Sequence, residues 1–429
     1  MKRPPSDGRV FVLSPILIPM FNDHSMLRYL TAGESHGEAI IGVLEGAPAQ
    51  LPLTPDDINE HLARRWLGYG RGGRSKIEND TVHIYSGVRF GKTLGSPISF
   101  RIDNGAYEKD KAGWPEKMAI EGEPPEDMEK VTMPRPGHAD LAGKQKYEHD
   151  DMRPVIDRSS ARETAMRVAC CSVARRLLNE FGIEVGSHVV RIGDVGFDEP
   201  EEWADRRNAL IEEGGGASAL YETADESATR MIDDGMTERC VEHIDQTKKD
   251  RDSLGGVYEV VVTGVPPGLG SYVHWDRRLD GQLVQAICSI QAQKAAEVGD
   301  GFFNAHRPGS QVHDPIEPRE DGAQAYPRRT NHAGGTEGGT TTGMPLVVRG
   351  YMKPIPTLIK PLDSVDTATG EPEPTRYERS DITSVPAAST VAEATVAYTV
   401  ANAFLRKYGG DSVPAIRRHV EADRAAPNE

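Results

Sequence analysis

The order in which strand-like and helix-like stretches follow one another limits the fold of this chain more than any other property of its sequence. A helical pattern over 54–66 is followed by strand-like stretches at 82–88 and 97–102, and the longest helical pattern covers 159–182. The sequence then predicts a strand over 258–266, a helix over 279–298, a strand over 344–351 and a last helix over about 386–408. Because the predicted strands do not alternate strictly with helices, the order favours an α+β fold with antiparallel sheets.

Two of the predicted helices have recognisable ends. Thr54 is a suitable N-cap, and Pro55 suits the first helical position. Ser160 and Glu163 match a capping box at the start of the second helix, and Gly182 predicts its end.

Two cations lie near the start of that second helix. The helix dipole disfavours Arg158 and Arg162 at this end, where the unpaired N–H groups favour anions instead. An anionic ligand bound there would resolve the conflict.

The composition excludes several classes of protein. A net charge of −16 argues against a general nucleic-acid binder, which needs a basic surface for phosphates. Hydrophobic residues make up 37% of the 429 residues, which is typical of a soluble globular protein and not of a membrane protein. The four cysteines show no metal-binding spacing such as CxxC, so we expect no metal site, reduced thiols and a cytoplasmic location.

The domain organisation follows from shifts in composition. Residues 1–26 combine basic residues with a proline-broken apolar run and are expected to be a tail outside the fold. Residues 27–408 are expected to form a single domain, and 409–429 a second tail. Within the domain, 104–130 has the composition of a mobile surface loop. The segment 201–250 carries fourteen acids against six bases and is predicted to be a solvated, partly helical excursion.

A basic cluster follows the first predicted helix. Gly68, Gly70 and Gly73 satisfy GxGxxG, but they follow a helix and precede a strand, which is the wrong context for a dinucleotide-binding turn. The cluster comprises Arg64, Arg65, Arg71, Arg74 and Lys76. In an acidic chain such a local field suits a phosphate or carboxylate ligand, although a solvated basic turn accounts for it equally well.

Two histidines and one aspartate lie at positions that suit residues that transfer protons. His36 in AGESHGEA and His138 in PRPGHAD lie on glycine-flanked loops, and imidazole exchanges protons near neutral pH. Solvated turns are the alternative for each motif taken alone. Asp381 precedes the last helix and is suited to capping, binding or acting as a base. The Gly/Thr-rich run 332–343 allows a ligand to approach the backbone closely, or forms a flexible loop.

Taken together, seven segments resemble the chorismate synthase family from about Leu27 to Tyr408, in the family's order. They are GESHGEAIIGVLEGAP (33–48), RRWLGYGRG (64–72), RPGHAD (135–140), RSSARETAMRVA (158–169), NHAGGTEGG (331–339), KPIPT (353–357) and RSDITSVPAASTVAEA (379–394).

The resemblance implies a fold, an assembly and a reaction. The fold is a β-α-β sandwich with helices between antiparallel sheets, assembled as a homotetramer. The reaction is the trans 1,4-elimination of phosphate from 5-enolpyruvylshikimate 3-phosphate to give chorismate, the last step of the shikimate pathway to aromatic amino acids. It requires reduced FMN without net redox change, and NADPH is a candidate reductant for the flavin.

The resemblance also assigns roles to residues. His36 would assist the leaving phosphate, His138 would donate a proton to the reduced flavin, and Asp381 would work with the flavin in removing the substrate proton. Arg65 and Arg71 would contact a phosphorylated ligand. The FMN contacts would be Arg158, Ser159, Ser160, Gln291, Ala292, Gly338, Lys353, Pro354, Ile355, Pro356, Thr357 and Arg379.

Three positions depart from the family pattern. Asp157 stands where glycine is usual, Gln291 where asparagine is usual, and Cys170-Cys171 where small residues are usual. A flavin-dependent NAD(P)H oxidoreductase and a non-enzymatic binder of phosphorylated ligands or RNA are the alternative functions. The first would need a nicotinamide site, and the second would not need two loop histidines and an aspartate.

Overall fold

The computed structural model describes residues 26–72, 80–109, 113–375 and 380–425, and two antiparallel sheets with helices packed between them form its core. The strands are β1 (Arg28–Ala32), β2 (Ala39–Glu45), β3 (Val82–Ser86), β4 (Val88–Arg89), β5 (Lys92–Thr93), β6 (Ile98–Asp103), β7 (Glu184–Ile192), β8 (Val195–Gly196), β9 (Gly256–Thr263), β10 (Gln293–Val298), β11 (Thr336–Glu337), β12 (Thr340–Thr341), β13 (Leu346–Met352), β14 (Asp363–Val365) and β15 (Pro372–Pro374). The helices are α1 (Pro55–Arg64), α2 (Gly105–Lys109), α3 (Trp114–Lys117), α4 (Asp140–Tyr147), α5 (Arg153–Ser159), α6 (Glu163–Asn179), α7 (Glu201–Gly214), α8 (Ala217–Glu226), α9 (Asp234–Lys249), α10 (Leu279–Cys288), α11 (Gly301–Asn304), α12 (Gly309–Val312), α13 (Val385–Tyr408) and α14 (Val413–Ala425).

The first sheet has four antiparallel strands in the order β1-β2-β6-β3. Side chains alternate along β2, where Ile40 and Leu44 are buried and Val43 between them is exposed. Gly42 lets α6 approach this sheet closely, because a Cβ atom there would lie 2.4 Å from the sulfur of Met166. The inner face of the sheet therefore packs on α6.

The second sheet has five antiparallel strands in the order β10-β13-β9-β7-β8. The central strands β7 and β9 are buried on both faces, because α13 covers one face and α8 packs against the other. Helices α6 and α13 pack together between the two sheets. The predicted α+β fold with helices between antiparallel sheets is thus confirmed.

The acidic segment 201–250 is not the solvated excursion that its charge suggested. It forms α7, α8 and α9, and Leu220 and Ala224 of α8 are buried against Val261 of β9. Arg207 of α7 donates to the buried carboxylate of Glu259 at 2.7 Å. The acids lie mainly on the solvent side, and the apolar side chains on the other side cover the sheet.

The helix predicted over 279–298 ends early. Helix α10 stops at Cys288, and Ala292 adopts a positive φ of 64°. The next six residues form β10, which pairs with β13 at the edge of the second sheet. Residues 293–298 have good helix formers, so pairing with a neighbouring strand outweighs their local preference.

The expected C-terminal tail contains a packed helix. Val413, Ile416 and Val420 of α14 are buried in the main core. At the other end, the expectation for residues 1–25 lies outside the described residues and stays a prediction. Near the start of the described residues, Leu27 is buried in the core, and its N–H donates to Asn402 of α13 at 2.8 Å.

Within the described ranges, none of the helices is both long and apolar enough to cross a membrane. The same residues hold no cluster of three or more His, Cys, Asp or Glu side chains arranged for a metal ion.

Candidate active site

The loop between β1 and β2 holds His36 against a buried carboxylate. The imidazole Nδ1 donates to Oδ1 of Asp157 at 2.7 Å, and Ser35 Oγ donates to the same oxygen at 3.1 Å. The Ser35 N–H also donates to the Asp157 carbonyl at 3.2 Å, so main chain and side chains both fix the loop on α5. Asn104 supports the other side by donating to the carbonyl of Gly37 at 2.6 Å.

An aromatic ring lies flat against His36. Trp114 stacks on the imidazole with ring centroids 4.0 Å apart and planes 21° apart. It comes from α3, inside the segment 104–130, whose composition had predicted a mobile surface loop. Lys117 and Arg153 approach the same indole ring, at 5.6 and 5.5 Å from its centroid.

The loop before α4 holds His138 in a similar way. Its Nδ1 donates to Oδ1 of Asp140 at 2.5 Å, and Arg135 donates to Oδ2 of the same carboxylate at 2.9 Å. Burial alone would raise the pKa of Asp140, but the hydrogen bonds from His138 and Arg135 outweigh it and hold that pKa well below its usual range. This loop lines a cavity of about 590 Å³ together with residues 363–365.

Asp381 and Arg71, predicted separately as base and ligand contact, form an ion pair in this structure. Arg71 Nη1 lies 2.9 Å from Asp381 Oδ2. The carboxylate also accepts from the Gly72 N–H at 2.6 Å and from Ser384 Oγ at 2.7 Å. Burial lowers the pKa of Arg71, and the positive charge of Arg65 lowers it further against the opposing effect of Asp381.

Arg65 has an internal partner instead of an open position. It is 4% exposed and donates to Asp80 at 2.5 Å. Arg162 donates to the other oxygen of Asp80. The anion that satisfies Arg162 near the start of α6 is therefore a side chain of the protein. Burial would raise the pKa of Asp80, but the two guanidinium groups lower it below its usual value.

Two of the residues predicted to bind the cofactor, Arg158 and Gln291, line a cavity beside β1. Arg158, Thr31, Glu163 and Gln291 contribute to a cavity of about 380 Å³. Glu163 accepts from Thr31 at 2.9 Å and from Gln291 at 3.1 Å, so the predicted capping box at this residue is wrong. Helix α6 starts after Arg162, and the carboxylate of Glu163 orients the cavity wall instead.

The segment KPIPT joins this cavity to the His138 loop. The Lys353 N–H donates to the carbonyl of Ala292 at 3.0 Å, and its Nζ donates to the carbonyl of Gly137 at 2.8 Å. Burial lowers the pKa of Lys353, and the nearby charge of Lys294 lowers it further. Thr357 accepts from Arg135 at 3.1 Å.

Further contacts connect KPIPT to the Asp381 loop. Ser253 Oγ donates to the carbonyl of Ile355 at 2.7 Å, and the adjacent Leu254 N–H donates to the carbonyl of Ile382 at 2.8 Å. Beyond Asp381 the path continues through Arg71 and Arg65, whose guanidinium groups lie 5.7 and 4.5 Å from the ring centroid of Trp66.

The last contacts lead from Arg65 back to the loop that holds His36. Arg65 leads through Asp80 to Arg162, which donates to Asn104 Oδ1 at 2.8 Å. Asn104 holds the His36 loop, and Arg158 bonds the carbonyl of Thr31 at 2.8 Å beside the cavity. His36, the cavity, His138 and Asp381 are therefore linked in one closed chain of contacts.

Some predicted contacts lie elsewhere. Gly338 lies in the turn between β11 and β12 beside Tyr272, outside the lining of the cavity at Arg158. Ser159 donates to a carbonyl of its own helix, and Ser160 accepts from the Arg162 N–H at 3.3 Å. Arg379 lies outside the described residues, as do Gly73, Arg74 and Lys76.

Sequence reasoning missed the partners of the two histidines. Asp140 is two residues from His138, and this short spacing within RPGHAD was an available signal. Asp157 was noted only as a departure from the family pattern. Its separation from His36 in the sequence gave no indication that the two side chains meet.

The comparisons with known proteins agree with one another. A sequence model described as chorismate synthase matches residues 27–405. The chorismate synthase of Enterococcus faecalis is 51% identical over 400 residues, which are 93% of this chain and 98% of that protein. The chorismate synthase of Aquifex aeolicus is 51% identical over 395 residues, covering 92% of this chain and 96% of that protein. A crystal structure of a chorismate synthase, 42% identical, covers 92% of this chain and 96% of its own with a TM-score of 0.71.

Proposed function

The chain belongs to the chorismate synthase family of lyases, and from this we propose that it catalyses the trans 1,4-elimination of phosphate from 5-enolpyruvylshikimate 3-phosphate to give chorismate. In the proposed reaction FMN is present in its reduced form and there is no net redox change. The reaction would be the last step of the shikimate pathway to aromatic amino acids. The observation that carries the proposal is the closed chain of contacts that connects the loops of His36, His138 and Asp381 with the cavity at Arg158, although these three side chains are not part of its lining.

The residues around the cavity at Arg158 fit FMN. Gln291 Oε1 is buried without a hydrogen-bond partner, and the isoalloxazine ring carries an N–H group that could satisfy such an acceptor. Arg158 and Lys353 supply positive charge for the cofactor's phosphate. We propose that these residues hold FMN, together with Ala292 and the remainder of KPIPT. Ser159, Ser160, Gly338 and Arg379 stay predicted contacts.

The reaction needs a proton to be removed and a leaving group to be stabilised. Reduced FMN, when bound, supplies a transient electron that makes the allylic phosphate a better leaving group. We propose that His36 donates a proton to the departing phosphate and that His138 holds a proton beside the cofactor. Asp381 is oriented by Gly72 and Ser384 and would accept the substrate proton at its carboxylate.

Arg71 is the basic residue best placed to bind the substrate. Its partner Asp381 belongs to the proposed catalytic group, so a substrate phosphate or carboxylate that pairs with Arg71 would also change the surroundings of the base. Arg65 would act on the ligand through Arg71 and not by direct contact, because Asp80 already occupies it.

Assembly, compartment and flavin reductant complete the proposal. We propose a homotetramer, supported by the exposed apolar side chains on the outer face of the first sheet.

A cytoplasmic location is supported by four cysteines that are all unpaired. Burial raises the pKa of Cys171 to about 12, so that thiol stays protonated. NADPH is the reductant to be tested, and we assign no residue to it.

The test is an anaerobic assay with photoreduced FMN and 5-enolpyruvylshikimate 3-phosphate, in which the formation of chorismate is followed by its absorbance. We expect chorismate and phosphate in equal amounts without stoichiometric consumption of a reductant. His36→Ala and His138→Ala should each lower kcat about 10²–10⁴-fold, as the loss of a proton donor does. His83→Ala, an exposed histidine on β3, is the control and should retain full activity. Net oxidation of NADPH without chorismate would support the flavin oxidoreductase instead.

A further inference from the structure

Asp157 is a buried carboxylate with an unusual set of partners. It is 2% exposed, and both His36 and Ser35 donate to the same oxygen, Oδ1. Its other oxygen, Oδ2, is buried without a partner. Among the residues that the structure describes, His36 is the one ionisable group paired with Asp157.

A buried carboxylate is costly unless a positive charge or several hydrogen bonds compensate it. The nearest arginine in the sequence does not do so, because Arg158 donates to the backbone of Thr31 and Gly33. The imidazole of His36 is therefore the group that balances Asp157, and it does so best when the ring carries a positive charge.

The pair of His138 and Asp140 differs from the pair of His36 and Asp157 in its further partners. Asp140 accepts from His138, but it also accepts from Arg135 at 2.9 Å and 3.2 Å. The arginine neutralises Asp140 whether or not His138 is protonated. In the described part of the chain Asp157 pairs with no such second cation, so His36 is its one ion-pair partner there.

The orientation of the His36 ring is fixed from two directions. Asp157 binds Nδ1 in the ring plane, and Trp114 stacks 4.0 Å from the face of the ring. With the Nδ1 proton held by the carboxylate, Nε2 is the nitrogen from which the ring can give up a proton.

We propose that Asp157 is a positioning residue for His36. Its carboxylate accepts the hydrogen bond from Nδ1–H and balances the charge of the imidazolium until Nε2 gives its proton to the leaving phosphate. In this step the C–O bond to phosphate breaks, its electron pair stays on the phosphate oxygen, and that oxygen gains the Nε2 proton. The electron pair of the substrate C–H bond, whose proton Asp381 accepts, forms the new double bond. His36 is left neutral with Nδ1–H still bonded to Asp157. The inference rests on the proposed function, and it gives a role to a buried acid to which the resemblance assigned none.

The test is a double-mutant cycle with the complete chain. Under the anaerobic conditions above, kcat is measured for four proteins, namely the unsubstituted protein, Asp157→Asn, His36→Ala and the double variant. Substrate binding is measured separately by calorimetry. We expect Asp157→Asn to lower kcat about 10- to 100-fold, a part of the full effect of losing a proton donor, with substrate affinity within twofold. In the His36→Ala background the same substitution should have no further effect. Asp276→Asn, in the exposed pair of His274 and Asp276, is the matched control.

Equal effects of Asp157→Asn in both backgrounds would overturn the inference, as would an unchanged kcat. If Asp157→Asn does not fold, the same cycle is run with Asp157→Glu, which keeps the charge but displaces the carboxylate. Solid-state NMR of ¹⁵N-histidine-labelled protein provides a measurement that does not depend on activity. The Nδ1 of His36, identified by its loss in His36→Ala, should be protonated, and an unprotonated Nδ1 would refute the inference. An inactive but correctly protonated unsubstituted protein would instead refute the proposed function.

Discussion

Arg65 and Arg71 both face the ring of Trp66, but their charges act on different partners. Arg65 is buried against Asp80, whose side chain is inaccessible to solvent. Arg71 pairs with Asp381, which retains some exposure. Because a buried pair contributes to folding and an accessible pair can be exchanged for a ligand, the two residues should respond differently to substitution.

We predict that Arg71→Ala weakens substrate binding, whereas Arg65→Ala mainly lowers stability. Loss of one charge-assisted contact to a desolvated anion should cost about 1.5–3 kcal/mol of binding free energy. Arg65→Ala leaves Asp80 with Arg162 alone and should lower the free energy of unfolding by about 1–3 kcal/mol. Calorimetric binding and chemical denaturation of both variants check this. A loss of affinity in Arg65→Ala equal to that in Arg71→Ala, at unchanged stability, would contradict the assignment.

At this scale the sequence located residues better than it located their partners. His36, His138 and Asp381 could be selected because polar residues on glycine-flanked loops or before a helix have no packing role. The pairing of Arg71 with Asp381 could not be predicted, since it depends on how the loop after α1 meets the start of α13. The pairing of Asp157 with His36 could not be predicted for the same reason.

Helix α13 carries one acid in the middle of the core. Glu393 is the single charged residue between Val385 and Leu405, and it is inaccessible to solvent. It accepts from Arg64 of α1 at 2.6 Å and from Arg175 of α6 at 2.7 Å. The carboxylate thereby connects α13 with α1 and α6 in the middle of the core.

A third arginine and a hydroxyl complete the network around this carboxylate. Arg230 donates to Glu393 at 3.1 Å, and Ser187 of β7 donates at 2.6 Å. Burial would raise the pKa of Glu393, but the charges of the surrounding arginines outweigh burial and hold that pKa well below its usual value.

We predict that Glu393→Gln lowers the free energy of unfolding by about 3–5 kcal/mol at neutral pH. The substitution removes the charge paired with Arg175 and leaves Asp225 as the carboxylate that pairs with Arg64 and Arg230. The folded-state pKa is depressed, so the unfolded chain binds the proton more readily. The contribution of Glu393 is therefore complete above the unfolded value of about 4.3 and is lost as the pH falls below it. Denaturant titrations between neutral and acidic pH should show a smaller loss on acidification in the variant. Glu421→Gln, exposed on α14, is the control, and a similar effect in both would refute the prediction.

Elements were predictable from the sequence where local pattern and tertiary packing agree. Helices α1 and α13 and strand β9 lie close to the predicted ranges because their apolar spacing matches the faces that they bury. Residues 293–298 were predicted as helix because nothing local indicates that β13 offers them a pairing edge. The starting residue of α6 was wrong because Glu163 bonds Thr31 and Gln291 instead of the helix N-terminus.

On the outer face of the first sheet, apolar side chains are exposed that no other part of the described chain covers. Leu30 and Val43 lie opposite each other on β1 and β2 and are 63% and 39% exposed. Ile41, two residues along β2, is 39% exposed on the same face. A contiguous exposed apolar surface of this kind is typical of an interface. A second copy of the chain is the partner expected from the proposed homotetramer.

We predict that Val43→Asp weakens the assembly without unfolding the chain. An unpaired charge at the centre of an apolar interface opposes association, whereas a side chain that is exposed in the monomer contributes little to monomer stability. Sedimentation velocity should show a tetramer of the 46.8 kDa chain for the unsubstituted protein and a smaller species for the variant. Ile120→Asp, at a fully exposed isoleucine outside the sheet, should leave the assembly intact. If Val43→Asp sediments like Ile120→Asp, the outer face of the first sheet is not where the copies meet, and the homotetramer must be built through another surface.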